Sequence, residues 1–165
     1  MSSRPKIEIK RTRFDFFLEI VAVCAVLVGI LFPSLSYREL PTQVPVHFDF
    51  TGVADGYGHK SFLLLLMGIE LLLFLLLFFV ARYPHHFNYP VRITQENARH
   101  QYRNAVLLVR SMNAVICVFY SFLTTRLVQL GLGVQHNLGF YTTSVFVSGL
   151  FLLLFYFIYR SYAHR

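Results

Sequence analysis

Apolar residues fill four long stretches of this chain, and each stretch is set off from the next by a segment richer in Pro, Gly, His and Arg. A hydrocarbon core of roughly 30 Å calls for about 20 such residues in a helix. Segments 14–35, 61–82, 105–130 and 139–159 meet that requirement. The pattern therefore predicts an all-α integral membrane protein, an antiparallel four-helix transmembrane bundle forming one membrane domain over residues 1–165. Residues 36–60 form the outer loop and residues 83–104 the cytoplasmic loop. Arg4, Lys6, Lys10, Arg11 and Arg13 precede the first stretch as they would in a secretory leader. That stretch is too long for a leader, however, and it carries Asp15 and Glu19, so a retained helix is expected. Removal near residues 34–36 is the alternative.

The outer loop has a second rhythm. From Val44 to Phe50 the residues alternate, with Val44, Val46, Phe48 and Phe50 on one side and Pro45, His47 and Asp49 on the other. A period of two implies an extended segment with one apolar face. Thr51-Gly52 and Asp55-Gly56 are turn signals, so a small hairpin-like cap is expected outside the membrane. Pro41 and Pro45 argue against a long central strand. In the other loop Pro84 and Pro90 bracket an irregular stretch, and Thr94 offers a cap hydroxyl. The third helix is expected to begin near Thr94, in water, and to enter the membrane near Ala105.

Composition agrees with this layout. The chain is 56% hydrophobic and only 14% charged, with a mean hydropathy of +0.55. A soluble domain carries about 25% charged residues. The net charge of +7 does not call for nucleic acid, because the basic residues flank apolar segments and form no separate domain. They sort by side. Arg82, Arg92, Arg99, Arg103, Arg160 and Arg165 join the N-terminal five in one set of segments, whereas Arg38 and Lys60 alone occupy the outer loop. This bias puts both termini and the middle loop in the cytoplasm. Cys24 and Cys117 lie within apolar segments, where packing is their expected role. A meeting of the two near the bilayer centre is not required.

Ionisable groups inside a bilayer are costly and face a partner or a cavity. Glu19 and Arg110 each lie five residues into their helices, so their depths match and an ion pair is expected. Glu70 falls near the midplane of the second helix. On the third helix Arg110, Asn113, Cys117, Ser121 and Thr124 recur at steps of three and four and share one face. Glu19, Glu70, Arg110, Asn113 and Ser121 are the expected intramembrane polar network. It is either a structural hydrogen-bonding stripe or the lining of a proton, ion or peptide path. Arg126 lies on the opposite face near the outer end, where its side chain can snorkel. Thr142, Gly149 and Tyr156 repeat every seven residues on the fourth helix and suggest a packing seam.

In the outer loop His47, Asp49, Asp55 and His59 are the candidate metal ligands, since imidazole and carboxylate suit zinc. Turn formation and a histidine bond to a carbonyl account for the same residues without metal, and no cofactor is the primary expectation. Nothing resembles a metalloprotease HExxH, a phosphate-binding loop or a nucleophile elbow, so no enzymatic activity is expected.

The outer-loop sequence, Leu-Pro-x-x-Val-Pro-x-His-Phe-Asp-x-x-Gly-x-x-Asp-Gly-Tyr-Gly-x-Lys from Leu40 to Lys60, resembles the signature of a bacterial membrane domain of unknown function. That domain forms the N-terminal part of SdpI-type immunity and signalling proteins. The stretch Asn88–Thr94, with Glu96-Asn97-Ala98 and Gln101-Tyr102, is similar to the next segment of such proteins, and the resemblance spans about residues 14–110. It implies a multi-pass protein of the bacterial inner (cytoplasmic) membrane that protects against a secreted toxic peptide or holds a transcriptional repressor at the membrane. A peptide or envelope ligand would then meet the outer loop, with His47, Phe48, Asp49, Asp55 and Tyr57 as candidate contacts. Membrane lipids and other membrane proteins are the further expected partners. Two other classes compete with this reading: an accessory subunit of a larger membrane complex, and a small transporter or metal-dependent enzyme using Glu70 or the loop histidines.

Overall fold

The computed structural model describes residues 4–139 and 141–165. Four of its helices are long and apolar enough to cross a membrane: α1 (Arg13–Ser36), α2 (Phe62–Val80), α3 (Ala98–Gly131) and α4 (Thr142–Ala163). Between α1 and α2 the strands β1 (Gln43–Phe48) and β2 (Ala54–His59) pair antiparallel as a two-stranded cap. A short 3₁₀ turn, Pro84–His86, lies in the loop between α2 and α3.

α1 begins at a capping box. Thr12 Oγ1 accepts from the Asp15 N–H at 3.4 Å, and the Thr12 N–H donates to Asp15 Oδ2 at 2.6 Å. The carboxylate also sits where the helix dipole favours negative charge. Further along, Pro33 lies inside α1 without ending it. A proline at that position leaves the carbonyl four residues earlier, that of Gly29, without its usual donor. The Thr124 hydroxyl of α3 stands 3.3 Å from this oxygen, and it is also within reach of the Tyr120 and Ser121 carbonyls of its own helix. A neighbouring helix thus replaces the donor that the proline lacks, as proline in membrane helices requires.

α3 starts at Ala98 rather than at Thr94, because residues 95–97 form a turn. Thr94 closes the turn before the helix rather than capping it, and the cap residue, Asn97, makes no side-chain bond to the first turn of α3. Thr94 N–H donates to Asn97 Oδ1 at 2.9 Å, and Asn97 N–H donates to Thr94 Oγ1 at 3.2 Å. Against the expected span of 139–159, α4 is displaced toward the C-terminus, and Phe140 lies outside the described residues. Gly139 has φ +103° and leads into a turn in which Thr142 N–H donates to its carbonyl. The expected seam of Thr142, Gly149 and Tyr156 does not form. Gly149 has nothing near its Cβ position and Tyr156 is exposed. α4 meets α3 instead through large and polar groups: Phe146 stacks on Phe119 at 3.8 Å, and the Phe157 and Ser161 carbonyls accept from the Asn104 and Gln101 amides.

The cap rests on the ends of α2 and α3. Leu40, Val44, Leu63, Leu66, Leu127 and Val128 form one buried cluster, with Val46 and Phe48 packed beside it. Val44, Val46 and Phe48 thus obey the alternation of the sequence, but Phe50 departs from it and is 86% exposed. Irregularities on both sides of His47 shift the register before the strand reaches Phe50. Asp55-Gly56 lies within β2 rather than in a turn, and Gly52, with φ +84°, takes the turn instead. Lys60 closes the cap from below. Its Nζ donates to the Tyr37 and Leu40 carbonyls at 3.1 and 3.0 Å, just past the C-terminus of α1, where a cation is favoured.

Gly131, at the end of α3, lies close against the cap. A Cβ there would stand 2.8 Å from Leu40 Cδ2 and 3.2 Å from Val44 Cγ1. Gly131→Leu is expected to lift the cap and to cost about 1–3 kcal/mol. It should lower the thermal midpoint in detergent and speed proteolysis within residues 40–60. An unchanged melting curve would mean that the cap does not depend on this contact.

Candidate functional site

Two polar centres lie within the helices and one lies on the cap. The first is at the end of the bundle where α1 begins. Asp15 and Glu19, four residues apart, share a face of α1, and Arg103 and Arg110, seven apart, share a face of α3. Arg103 Nη1 donates to Asp15 Oδ2 at 2.6 Å, and Arg103 Nη2 donates to Thr12 Oγ1 at 3.0 Å. Arg110 Nη1 stands 2.8 Å from Asp15 Oδ1, and Arg110 Nε stands 3.4 Å from Glu19 Oε1. Both Arg110 contacts are ion pairs without the alignment of a hydrogen bond. Arg11 Nη1 closes the group on Glu19 Oε2 at 3.2 Å. The structure thus brings Glu19 and Arg110 together and adds Asp15, fully buried, as the carboxylate held most closely. Sequence reasoning used Asp15 only against a leader peptide. The Thr12-x-x-Asp15 capping pattern and the one-turn spacing to Glu19 were the signals that could have found it.

The second centre is Glu70. Its side chain is 0% exposed, and neither carboxylate oxygen has a hydrogen-bond partner among the described residues. It lies against Gly29 of α1, where a Cβ would fall on the carboxylate itself, 2.7 Å from Oε1. Cys117 of α3 is close enough to interact electrostatically. The rest of the α3 stripe is buried as its spacing predicts. Asn113 Nδ2 donates to the Phe74 carbonyl at 3.3 Å, the Cys117 thiol donates to Asn113 Oδ1 at 3.5 Å, and Ser121 and Thr124 are enclosed. The expected network is therefore two separate centres, a charged cluster at one end and Glu70 beside Gly29. Nothing in the sequence marked Gly29, because a glycine in an apolar helix has many uses. The two cysteines do not meet as a disulfide. Both are free, Cys117 buried and Cys24 exposed.

The third centre is the exposed face of the cap. His47 Nδ1 lies 2.5 Å from Asp55 Oδ1 across the two strands. Asp49, expected beside His47, is occupied elsewhere. Its Oδ1 accepts from Thr51 N–H at 2.8 Å, Thr51 Oγ1 at 2.6 Å and Val53 N–H at 3.0 Å. The Thr51 hydroxyl outweighs burial here and, with the Val53, Thr51 and Gly52 N–H groups, holds the Asp49 carboxyl below its usual range. The carboxylate therefore stays ionised and braces the turn. Phe48 faces the buried cluster of the cap, whereas Tyr57 is 62% exposed. His59 Nδ1 is 2.9 Å from Ser61 Oγ and accepts from the Ser61 N–H. Among the described residues no group of three or more His, Cys, Asp or Glu side chains is gathered closely enough to hold a metal ion.

The glycines of β2 make the pair across the strands possible. A Cβ on Gly56 would meet His47 Cβ at 2.9 Å, and one on Gly58 would meet Val46 at 3.1 Å. Only glycine lets β2 lie this close to β1 while His47 turns outward to Asp55.

Residues 20–71 match a family described only as a domain of unknown function (DUF1648). The match runs from the third turn of α1 through the cap to the first half of α2, so it includes Gly29, the whole hairpin and Glu70 but neither Asp15 nor Glu19. No curated protein and no solved structure matches the chain.

Substitutions at the two helix-borne centres separate their roles. Asp15→Asn leaves Arg103 facing a neutral amide and Arg110 with Glu19 alone, and should cost up to about 3–5 kcal/mol, the range for breaking one side of a buried ion pair. Thermal unfolding in detergent reads this, and a shift no larger than that of an exposed Lys10→Gln control would rule the cluster out as a structural element. Gly29→Ala should also lower stability by driving a methyl into Glu70, and Glu70→Ala in the same chain should recover most of that loss. Additive effects of the two substitutions would show that the two residues do not touch.

Proposed function

We propose that this chain is a non-enzymatic, multi-pass protein of the bacterial inner membrane whose cap binds a peptide or envelope ligand, in the manner of SdpI-type immunity and signalling proteins. In this reading the helices form an antiparallel bundle with both termini cytoplasmic, and the cap faces outward. The distribution of Lys and Arg supports that orientation. The end holding Arg11, Arg103 and Arg110 is rich in cations, whereas Lys60 at the cap end is spent on backbone carbonyls.

One observation carries the binding reading. The cap sets an imidazole–carboxylate pair, His47–Asp55, and the exposed ring of Tyr57 on a hairpin whose turn is braced by Asp49 and which is anchored from below by Val44. Structure alone does not require these exposed groups, because the cap's core is closed on its other face. An aromatic ring beside paired polar groups on a rigid support is the arrangement that binding surfaces favour. Resemblance of the Leu40–Lys60 stretch to the SdpI-type signature points to the same ligand class.

The test is mild-detergent purification of the tagged chain from its native membrane, with mass spectrometry of the molecules that stay bound, repeated for His47→Ala and Tyr57→Ala. A bound peptide lost by about tenfold or more in either variant, at unchanged membrane yield, is the expected result; a loss of that size corresponds to one hot-spot contact. Collapse of the yield in both variants would make the hairpin face structural. A reproducible set of large membrane proteins, unaffected by either substitution, would overturn the receptor reading in favour of an accessory subunit.

A further inference from the structure

Arg126 has no role in any of the three centres. It lies sixteen residues beyond Arg110, about 24 Å along α3 and about 160° around it. That distance approaches the roughly 30 Å of a hydrocarbon core. Counted from Ala105, where α3 is expected to enter the membrane, Arg126 is twenty-one residues, about 31 Å, along the helix, so it stands near the other polar boundary, on the cap side and on the face turned away from the α3 stripe. Among the described residues no carboxylate pairs with it, and its guanidinium lies over the Phe122 ring at 5.6 Å. Its Nε and the neighbouring Thr125 Oγ1 are both shielded from solvent and have no hydrogen-bond partner among the described residues.

Below these two groups runs an apolar groove. A hollow of about 610 Å³ between α1 and α3 has Cys24, Ala25, Val28 and Val118 along its walls and Thr125 and Arg126 at its cap end. It shares Val21, Val118 and Phe122 with a second hollow, of about 810 Å³, that continues toward α4. From Val118 to Gln129 the first hollow runs along α3 for eleven residues, about 16 Å. One leaflet of a bilayer is about 15 Å deep, half the hydrocarbon core. The groove therefore fits an apolar body one leaflet long, with a cation and a hydroxyl waiting at the headgroup end.

A helix from another protein would cover the groove but would lay apolar side chains over the Arg126 guanidinium, leaving it without a counter-charge. A phosphate supplies one, because guanidinium and phosphate match in charge and in geometry. We propose that the α1–α3 groove is a binding site for one anionic phospholipid of the cap-side leaflet. Its acyl chain lies between Cys24, Val28 and Val118, and its phosphate pairs with the Arg126 guanidinium. The site is independent of any ligand on the cap.

Native mass spectrometry of the full chain, purified in mild detergent and given equimolar phosphatidylglycerol and phosphatidylcholine, tests this. Wild type should retain phosphatidylglycerol about fivefold over phosphatidylcholine, the preference that one cation near a lipid surface supplies. Arg126→Gln should bring the ratio to about one, and Arg126→Lys should keep part of the preference. Val118→Trp, which fills the groove without touching the charge, should reduce retention of both lipids. Equal retention of the two lipids by wild type overturns the proposal whether or not the variants fold. So does an Arg126→Gln protein that keeps the wild-type ratio, or a Val118→Trp protein that holds lipid as wild type does.

Discussion

Arg110 lies more than a full turn inside an apolar helix, facing a pair of carboxylates on another helix. A guanidinium cannot give up its proton to escape a low-dielectric setting, so α3 must bring a counter-charge with it or stay out of the membrane. Asp15 and Glu19 are that counter-charge, and both belong to α1. The same requirement fixes how the two helices are rotated. Once Arg110 faces Asp15, the residues beyond it at steps of three and four, Asn113, Cys117, Ser121 and Thr124, are carried inward along the same face. Thr124 then arrives at the carbonyl of Gly29, which Pro33 has left without its helical donor. A charge at one end and a hydroxyl near the other thus set the α1–α3 pairing at two depths.

Three helices meet at Gly29. Its carbonyl takes a donor from α3, and its missing side chain leaves the space that Glu70 of α2 fills. The crossing explains why Glu70 is enclosed, but it does not give the carboxylate a hydrogen bond among the described residues. A buried acid without such a partner is costly in an apolar medium. Nothing in the packing of α1 against α2 requires an acid there, because an apolar side chain of similar volume would fill the same space.

Helices and cap were legible in the sequence to different degrees. Apolar length found the four spans, because the hydrocarbon thickness sets a minimum that few soluble segments meet. The period of three and four on α3 found the buried stripe, since a helix has only one face to turn inward. The period of two found β1 as far as Phe48 and failed at Phe50, where irregular pairing around His47 broke the alternation. Of the contacts between segments distant in sequence, Glu19 with Arg110 was legible from matching depth, but others were not. Asp15 with Arg103 is a pairing across 88 residues, and Gly29 with Glu70 is a matter of shape rather than of chemistry. His47 and Asp55 were both singled out as site residues, but Asp49 was the expected neighbour of His47. Same-face spacing suggested that neighbour, whereas the cross-strand register made the bond.

Polar contacts are spread unevenly along α3, and the shape of the molecule depends on that. At the end where α1 begins, Gln101 and Asn104 hold α4 by its carbonyls, and Ser161 Oγ returns a bond to Gln101 Oε1. Moving toward the cap, the Phe119–Phe146 stack is the next strong tie between the two helices. Beyond it α3 continues to Gly131, while α4 has already ended at Thr142. The last turns of α3 are therefore flanked by α1, α2 and the cap, and their outward face is left to the bilayer. Apolar residues on that face need nothing further from lipid tails. Arg126 differs, because hydrocarbon offers its guanidinium neither an acceptor nor a counter-charge; at the boundary water supplies an acceptor, whereas a phosphate headgroup supplies an acceptor and a charge together.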